Sequence, residues 1–275
     1  MYKSHYTSII SRAFGRFASH KFTPAVQNII NNSYVKLMGL DMSKFNEPNS
    51  YKSLNLLFTR AFKEEPIISR DINTVISPVD ALITDFGTIK GNQAYQIKGM
   101  FYCTKELLGE NYSDIADKLI DGDFANFYLS PKDYHRYHSP INMKIKSATH
   151  IPGKLYPVNM PLLRNKLNLF IENERVILEC ETNDGKLLFY VLVGALNVGK
   201  MVFSFDNSIM TNIKSNKCTK QIYNDLYVSK GDLLGWFEMG STVVMLSQKD
   251  TINYSNLEIN KQIKFNEIIG TISSI

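Results

Sequence analysis

Hydrophobic positions change their spacing about a quarter of the way along the chain. Between residues 6 and 39 they recur at helical intervals. Ile10, Phe14 and Phe17 fall at i, i+4 and i+7, with Arg12, Arg16 and His20 on another stripe. Thr23-Pro24 then offers an N-cap followed by proline at the first helical position. Val26, Ile29, Ile30 and Leu37 follow, and Gly39 stands where a C-cap ends a helix. Two helices are expected here. From about residue 71 the apolar residues come in short β-type runs: Thr74-Val75-Ile76, Leu82-Ile83-Thr84, Val176-Ile177-Leu178, Leu187 to Val193, Met201-Val202-Phe203 and Val243-Val244-Met245. Gly, Asn and Asp punctuate them. One helix is expected around Ser113 to Ile120, with Ser113 as its N-cap. There is no internal repeat and no low-complexity linker. The expected organisation is a helical arm over residues 1–70 and a β-rich domain over residues 71–275.

The 275 residues are 44% hydrophobic, enough for one large domain or a core with a small appendage. The net charge of +5 is too small to argue for nucleic acid. Its distribution says more. Residues 1–40 carry Lys3, Arg12, Arg16, Lys21 and Lys36 and no Asp or Glu. A basic amphipathic helix can lie in a membrane interface, with its cations on anionic head groups. The same pattern fits a helix packed on the protein's own core, or an Arg-rich, acidic-poor presequence. No apolar run reaches the ~20 residues that span a bilayer, and there is no secretory h-region. The longest apolar run, Leu187 to Gly199, is interrupted by Gly194 and Asn197 and reads as two strands with a turn. Cys103, Cys180 and Cys218 are far apart with no C-x-x-C, which fits a reducing compartment without a disulfide framework or zinc site.

Three stations could carry chemistry. In Ser77-Pro78-Val79-Asp80-Ala81, Asp80 sits on a turn between two strands, where an aspartate is ordinary. The second station runs from Tyr128 to Pro140, Y-L-S-P-K-D-Y-H-R-Y-H-S-P, and holds His135 and His138, two of five histidines. Histidine changes charge near neutral pH and suits acid–base work. A spacing of three also suits a metal on a helix face, and a pair of structural histidines accounts for it equally. In the third, Gly240-Ser241-Thr242 precedes the strand Val243 to Leu246. Gly-Ser before a strand is usually a tight turn. A reactive serine needs a base, and the base an orienting carboxylate. Asp80, His138 and Ser241 could supply that trio, although sequence separation leaves open whether they meet.

Together the stations resemble the phosphatidylserine decarboxylases of bacteria. The Tyr128–Pro140 segment resembles that family's histidine motif. Met239-Gly240-Ser241-Thr242 resembles its self-cleavage site, usually L-G-S-T, and Ser77-Pro78-Val79-Asp80-Ala81 its S-P-A-D-G motif. Further stretches fit between them: Leu57 to Lys63, Gly153 to Asn159, Asn168 to Phe170, Asn173 to Val176, Val193 to Gly199, and Lys230-Gly231. The likeness spans roughly residues 10–260 and includes the arm, which disfavours a presequence. Ala81 and Val79 depart from the usual Gly and Ala, and Met239 from Leu; an Ala where the family needs φ > 0 would carry a steric cost.

The resemblance implies an α+β fold, N-terminal amphipathic helices docked on a mostly antiparallel, β-barrel-like catalytic core. It implies a proenzyme that cuts itself between Gly240 and Ser241 into chains 1–240 and 241–275 and converts Ser241 into a covalent pyruvoyl cofactor. His138 would take the Ser241 proton, with Asp80 holding the imidazole. The pyruvoyl ketone would form a Schiff base with phosphatidylserine, lose CO2 and yield phosphatidylethanolamine, with no metal. His135 is the candidate proton donor in turnover, and Tyr128 a candidate lining of the substrate pocket. The arm is expected to meet an anionic membrane surface, peripherally, on the cytoplasmic face of a bacterial cell membrane. The two chains are expected to remain associated, as a homodimer of such units. Two other readings use the same residues: a serine hydrolase built on Asp80, His138 and Ser241, and a lipid-binding paralogue that does not process itself.

Overall fold

The structure, a computed structural model, describes residues 5–97, 99–196, 200–213, 215, 217–238 and 241–273. The two expected helices form as α1 (Tyr6–Ser19) and α2 (Pro24–Met38). Pro24 starts α2, and Gly39 ends it in the left-handed conformation with φ 65°, its N–H bonded to the Val35 carbonyl. A short helix, α3 (Leu54–Phe58), follows, its first turn capped by the Ser53 hydroxyl.

The arm helices bury a narrow, mixed face: Phe14 and Ala18 of α1 and Ile30, Tyr34 and Val35 of α2 pack with Leu54, Leu57 and Phe58 of α3, while other apolar residues stay outside. On α1 the buried residues are Thr7, Ser8, Ser11 and Ala18, while Ile9, Ile10 and Phe17 are exposed. On α2 Gln27 and Asn31 are buried, whereas Ile29 is 68% and Leu37 79% exposed. Hydrogen bonds hold the polar part of that buried face. Gln27 Nε2 donates to Asn31 Oδ1 at 2.8 Å, and Asn31 Nδ2 donates to the carbonyls of Pro48 and Tyr51, both at 2.8 Å. Buried amides must find such partners, and here the finding of them docks the helix.

The strands are β1 (Thr74–Ile76), β2 (Ala81–Thr88), β3 (Gln93–Ile97), β4 (Met100–Cys103), β5 (Asp123–Leu129), β6 (Arg136–His138), β7 (Met143–Ile151), β8 (Arg175–Thr182), β9 (Leu187–Gly194), β10 (Met201–Phe203), β11 (Thr219–Val228), β12 (Leu233–Phe237), β13 (Ser241–Ser247), β14 (Ile252–Asn253), β15 (Gln262–Ile263) and β16 (Ile268–Ile272). The expected helix at Ser113 is shorter than anticipated. Short helices α4 (Thr104–Leu108) and α5 (Ser113–Ala116) are separated by one 3₁₀ turn and followed by another, Asp117–Leu119. Ser113 lies inside α5 rather than capping it; its hydroxyl donates to the Glu110 carbonyl. Two more short helices, α6 (Met160–Asn165) and α7 (Leu169–Glu172), precede β8.

Eight strands form one sheet in the order β11-β7-β8-β9-β13-β5-β2-β15, antiparallel throughout. The barrel-like expectation is corrected: the sheet is open. One edge, β11, is mostly exposed and polar, and the other, β15, has two residues, so the edges do not meet. Both faces are covered instead. On one face Phe127, Val176, Tyr190, Val243 and Met245 pack with residues of the small sheets β1-β16-β14 and β10-β12-β6. On the other, Phe124, Ile177, Phe189, Val244 and Leu246 pack with the β3–β4 hairpin and helices α4 to α7. Central strands buried on both faces read as continuous apolar runs, which is why β8, β9 and β13 stand out in the sequence.

Strand β6, which carries His138, hangs on β12 through the pairs His138↔Leu233, Tyr137↔Gly235 and Arg136↔Trp236. Gly235 permits this packing. A Cβ there would lie 1.9 Å from the Val202 carbonyl oxygen and 2.6 Å from the Tyr137 hydroxyl. Backbone on one side and a packed ring on the other cannot both retreat. Gly235→Ala is therefore expected to destabilise the protein by about 1–3 kcal/mol or more, read as a lower urea midpoint with unchanged slope. An unchanged midpoint would contradict this packing.

Candidate active site

The loop between β5 and β6 is closed by Asp133. Its Oδ2 accepts from the Ser130 N–H at 2.8 Å and the Ser130 hydroxyl at 2.7 Å. Burial pushes the Asp133 carboxyl above the usual range, against these two bonds. The turn aims the next residues inward. His135 Nδ1 lies 2.8 Å from the Asp133 carbonyl. A carbonyl only accepts, so Nδ1 carries the proton and Nε2 the lone pair. That Nε2 is buried with no partner among the described residues, and the ring lies 3.9 Å from Phe58. Burial pushes the His135 pKa down to about 3, so the ring is neutral at pH 7.

The same logic fixes His138. Its Nδ1 is 2.9 Å from the Gly231 carbonyl and must donate, leaving Nε2 to accept from the Tyr134 hydroxyl at 2.9 Å. The ring stacks on Phe265 at 3.9 Å and on Tyr134 at 5.8 Å. Phe62 stands 4.4 Å from Tyr134, and Phe45 stacks on Phe62. Inside this aromatic box burial lowers the His138 pKa to about 4. The arm supplies Phe45 and Phe62 and anchors nearby. Arg60 donates to the Lys132 and Asp133 carbonyls, Arg136 Nε donates to Thr59 O at 2.9 Å, and Tyr34 of α2 donates to Pro131 O at 3.2 Å.

Asp80 does not hydrogen-bond to His138. Its Oδ1 accepts from the Phe265 N–H at 2.8 Å, and its Oδ2 meets Lys264 Nζ at 2.9 Å. The two residues are nevertheless neighbours. The His138 N–H donates to Pro78 O at 3.0 Å, and Phe265 touches both. A cleft of about 890 Å³ opens beside Asp80, lined among others by Arg60, Lys132, Asp133 and Lys264.

Ser241 begins β13, opposite Leu129 of β5 and Gly194 of β9. Met239 and Gly240 lie outside the described residues. Gly194 is held from behind: its N–H donates to Glu174 O at 2.8 Å, and its carbonyl accepts from the buried Asn173 Nδ2 at 2.9 Å. With both backbone groups turned to that side, Gly194 and Ser241 form the closer, non-hydrogen-bonded kind of antiparallel pair. Tyr128 is the register partner of Thr242. The backbone of His135 reaches the same junction, since its carbonyl accepts from the Phe237 N–H at 2.9 Å. Thus His135 borders the strand leading to the Gly240–Ser241 bond, while His138 lies at the far end of the β6–β12 pair. The two imidazoles share no partner, and among the described residues no group of three His, Cys, Asp or Glu could hold a metal.

Reading the sequence left several participants unassigned. Tyr134, four residues before His138, lies within the histidine motif but had been given no role. Gly231 and Asn173 fell in matched stretches that suggested no function. Lys264 and Phe265 lie beyond residue 260, where the resemblance ended.

Two neutral, buried imidazoles, a fixed carboxylate and a central strand opening on a serine define an α+β protein equipped for acid–base chemistry. Comparison with known proteins is more specific. The sequence model of phosphatidylserine decarboxylase matches residues 54–271. A phosphatidylserine decarboxylase proenzyme of Helicobacter pylori is 45% identical over 96% of this chain and 97% of its own length. One of Campylobacter jejuni is 45% identical over 94% and 97%, and one of Marinobacter nauticus 35% identical over 96% and 93%. The chain belongs to the phosphatidylserine decarboxylase family.

The neutrality of His138 has a measurable consequence. Its folded pKa of about 4 lies below the ordinary 6.5. As pH falls from 6.5 towards 4 the unfolded chain takes up a proton that the folded chain refuses, so stability is lost across that window. In His138→Gln this part of the loss, on the order of 3 kcal/mol by pH 4, is expected to vanish. Urea midpoints at pH 7, 5.5 and 4 measure it. Parallel pH slopes in the two proteins would show that His138 is not buried neutral.

Proposed function

We propose that the chain is a phosphatidylserine decarboxylase proenzyme that cuts itself between Gly240 and Ser241 and carries a pyruvoyl group at residue 241. The observation supporting this most directly is the setting of Ser241. It heads β13, whose seven residues pair with β9 on one side and β5 on the other. A break just before residue 241 severs no strand pairing, so residues 1–240 and 241–275 remain one folded unit. A pyruvoyl group fits these surroundings. Next to it, the buried Thr242 hydroxyl has no hydrogen-bond partner among the described residues.

In maturation the Ser241 oxygen attacks the Gly240 carbonyl carbon. The C–N bond breaks as the C–O ester bond forms, and the hydroxyl proton passes through a base to the freed nitrogen. Loss of the Cα proton then expels the Gly240 carboxylate, and hydrolysis releases ammonia. His138 is the base we assign. It is neutral, its Nδ1–H is fixed by Gly231 O, and among the described residues its Nε2 lone pair is engaged by the Tyr134 hydroxyl, which must yield while Ser241 is brought to it from the other end of the β6–β12 pair. Asp80 stabilises the imidazolium that forms, by its fixed charge. In the decarboxylation of phosphatidylserine the pyruvoyl group supplies an electron sink for the carbanion left by CO2. His135 is the candidate to return a proton to carbon. Its one proton is committed to Asp133 O, so it must first acquire another at Nε2. Tyr128, half-buried beside Thr242, is the candidate pocket wall.

The arm suits a lipid substrate. Ile9, Ile10 and Phe17 of α1 and Val26, Ile29 and Leu37 of α2 are exposed, and the arm also bears Arg12, Arg16 and Lys21. Such a surface partitions into the interface of an anionic bilayer, as a peripheral contact. No helix among the described residues is long and apolar enough to cross a membrane.

Intact-mass spectrometry of the purified wild type and Ser241→Ala tests the proposal. The wild type is expected as a chain ending at Gly240 and a small chain lighter than unmodified 241–275 by one ammonia, and the variant as one piece. A folded wild type that stays whole overturns self-cleavage, and labelling of Ser241 by a serine-directed phosphonate would then favour a hydrolase.

A further inference from the structure

The segment that follows the proposed cut reaches back to the two residues thought to drive it. Residues 262–267 run along the Asp80 turn. Gln262 and Ile263 pair with Leu82 and Ala81, Asn266 N–H donates to Ser77 O at 3.1 Å, and Ser77 N–H donates to Glu267 O at 2.7 Å. This register directs two consecutive side chains. Lys264 Nζ meets Asp80 Oδ2 at 2.9 Å, and Phe265 lays its ring on that of His138 at 3.9 Å while its N–H binds Asp80 Oδ1 at 2.8 Å. Phe265 is buried, as is most of the Asp80 side chain, whereas the Lys264 side chain is half exposed.

We propose that Lys264 and Phe265 are positioning residues of the active site, a clasp contributed by the C-terminal fragment that fixes the Asp80 carboxylate and the His138 ring relative to one another. The inference rests on the self-cleavage reading above. Its physical content is preorganisation. An ionised carboxylate offers about four acceptor positions, and the clasp occupies two. The remainder stay available, and the charge stays fixed where an imidazolium must form within an aromatic box. Water screens the half-exposed Lys264 ammonium more than it screens the mostly buried Asp80 carboxylate. The other groups facing Asp80 are Arg60, Asp133 and Tyr134; Lys264 in turn faces Asp133 and Asp41. Without Lys264 the cationic partner left to Asp80 is Arg60, whose guanidinium already binds two carbonyls. After cleavage the clasp joins the two fragments across the site, so neither fragment holds a complete site alone.

The test is the rate of self-cleavage in full-length Lys264→Met and Lys264→Arg, followed by gel and intact mass from pH 5 to 9, with wild type and Ser241→Ala as controls. Loss of a charge-assisted hydrogen bond predicts that Lys264→Met cleaves roughly ten- to hundredfold more slowly. Lys264→Arg, which keeps the cation beside Asp80, should recover most of the rate. Should Met at 264 not fold, Lys264→Gln carries the same comparison. Wild-type speed in the folded neutral variant overturns the proposal. So does a slow variant that Arg does not rescue, since that marks a structural defect only. If the wild type itself does not cleave, self-cleavage fails, and the clasp loses its reaction with it.

Discussion

The double pairing of β13 is the constraint on which the rest of the structure depends. Seven residues are matched on one side by β9 and on the other by β5, and Val243, Val244, Met245 and Leu246 are fully buried. At about 1.5–3 kcal/mol for each fully buried large apolar side chain, these four contribute on the order of 6–12 kcal/mol before chain entropy is counted. A strand so held does not need its covalent link to residue 240. That is the property demanded of a protein whose proposed chemistry starts by breaking that link. It also sets the position of Ser241 more tightly than a loop could, because Gly194 opposite is itself fixed by Asn173 and Glu174.

Around this rigid strand the polar chemistry is arranged by burial. Both imidazoles are held neutral, and each has its tautomer set by a backbone carbonyl, Asp133 O for His135 and Gly231 O for His138. In the familiar triad an aspartate performs that task. Here it is already done, which leaves to Asp80 the electrostatic role proposed for it. The division has a physical advantage. A carbonyl orients a ring without an ion pair having to be buried beside it, and the carboxylate can sit at the mouth of a cleft where Lys264 meets it at partial exposure.

The sequence revealed most where local rules decide the structure. Pro24 and Gly39 bracket α2 because fixed φ suits a first turn and positive φ a C-cap. The apolar runs of β8, β9 and β13 announce strands covered on both faces. Less was legible where neighbours decide. β11 carries Lys220, Gln221, Asn224 and Asp225 and lies at an edge, so its pattern gives little strand signal. Whether the sheet closes depends on that edge and on a two-residue strand at the other, neither of which a pattern of apolar residues describes. The site divides similarly. His135, His138 and Asp80 advertise themselves by residue type. The groups that control them are Gly231, 93 positions from His138, and Phe265, 185 positions from Asp80, and topology alone brings them there.

The arm gives the sharpest case of a pattern whose period is informative and whose direction is not. Helical periodicity on α1 and α2 is real, but it cannot say which face looks inward. An apolar stripe would ordinarily be the inward face. Here Gln27 and Asn31 turn inward, because the chain at Pro48 and Tyr51 offers carbonyls that an amide can bind and a leucine cannot. Docking through these amides, together with a narrow apolar contact of Phe14, Ala18, Ile30, Tyr34 and Val35, leaves Ile9, Ile10, Ile29 and Leu37 to solvent. A lipid interface is the covering that the proposed substrate would bring to that face. The same arm continues through Phe45, Arg60 and Phe62 into the walls around His138 and Asp133. A membrane contact there would accordingly act on the same segment that encloses His138, the base proposed for self-cleavage.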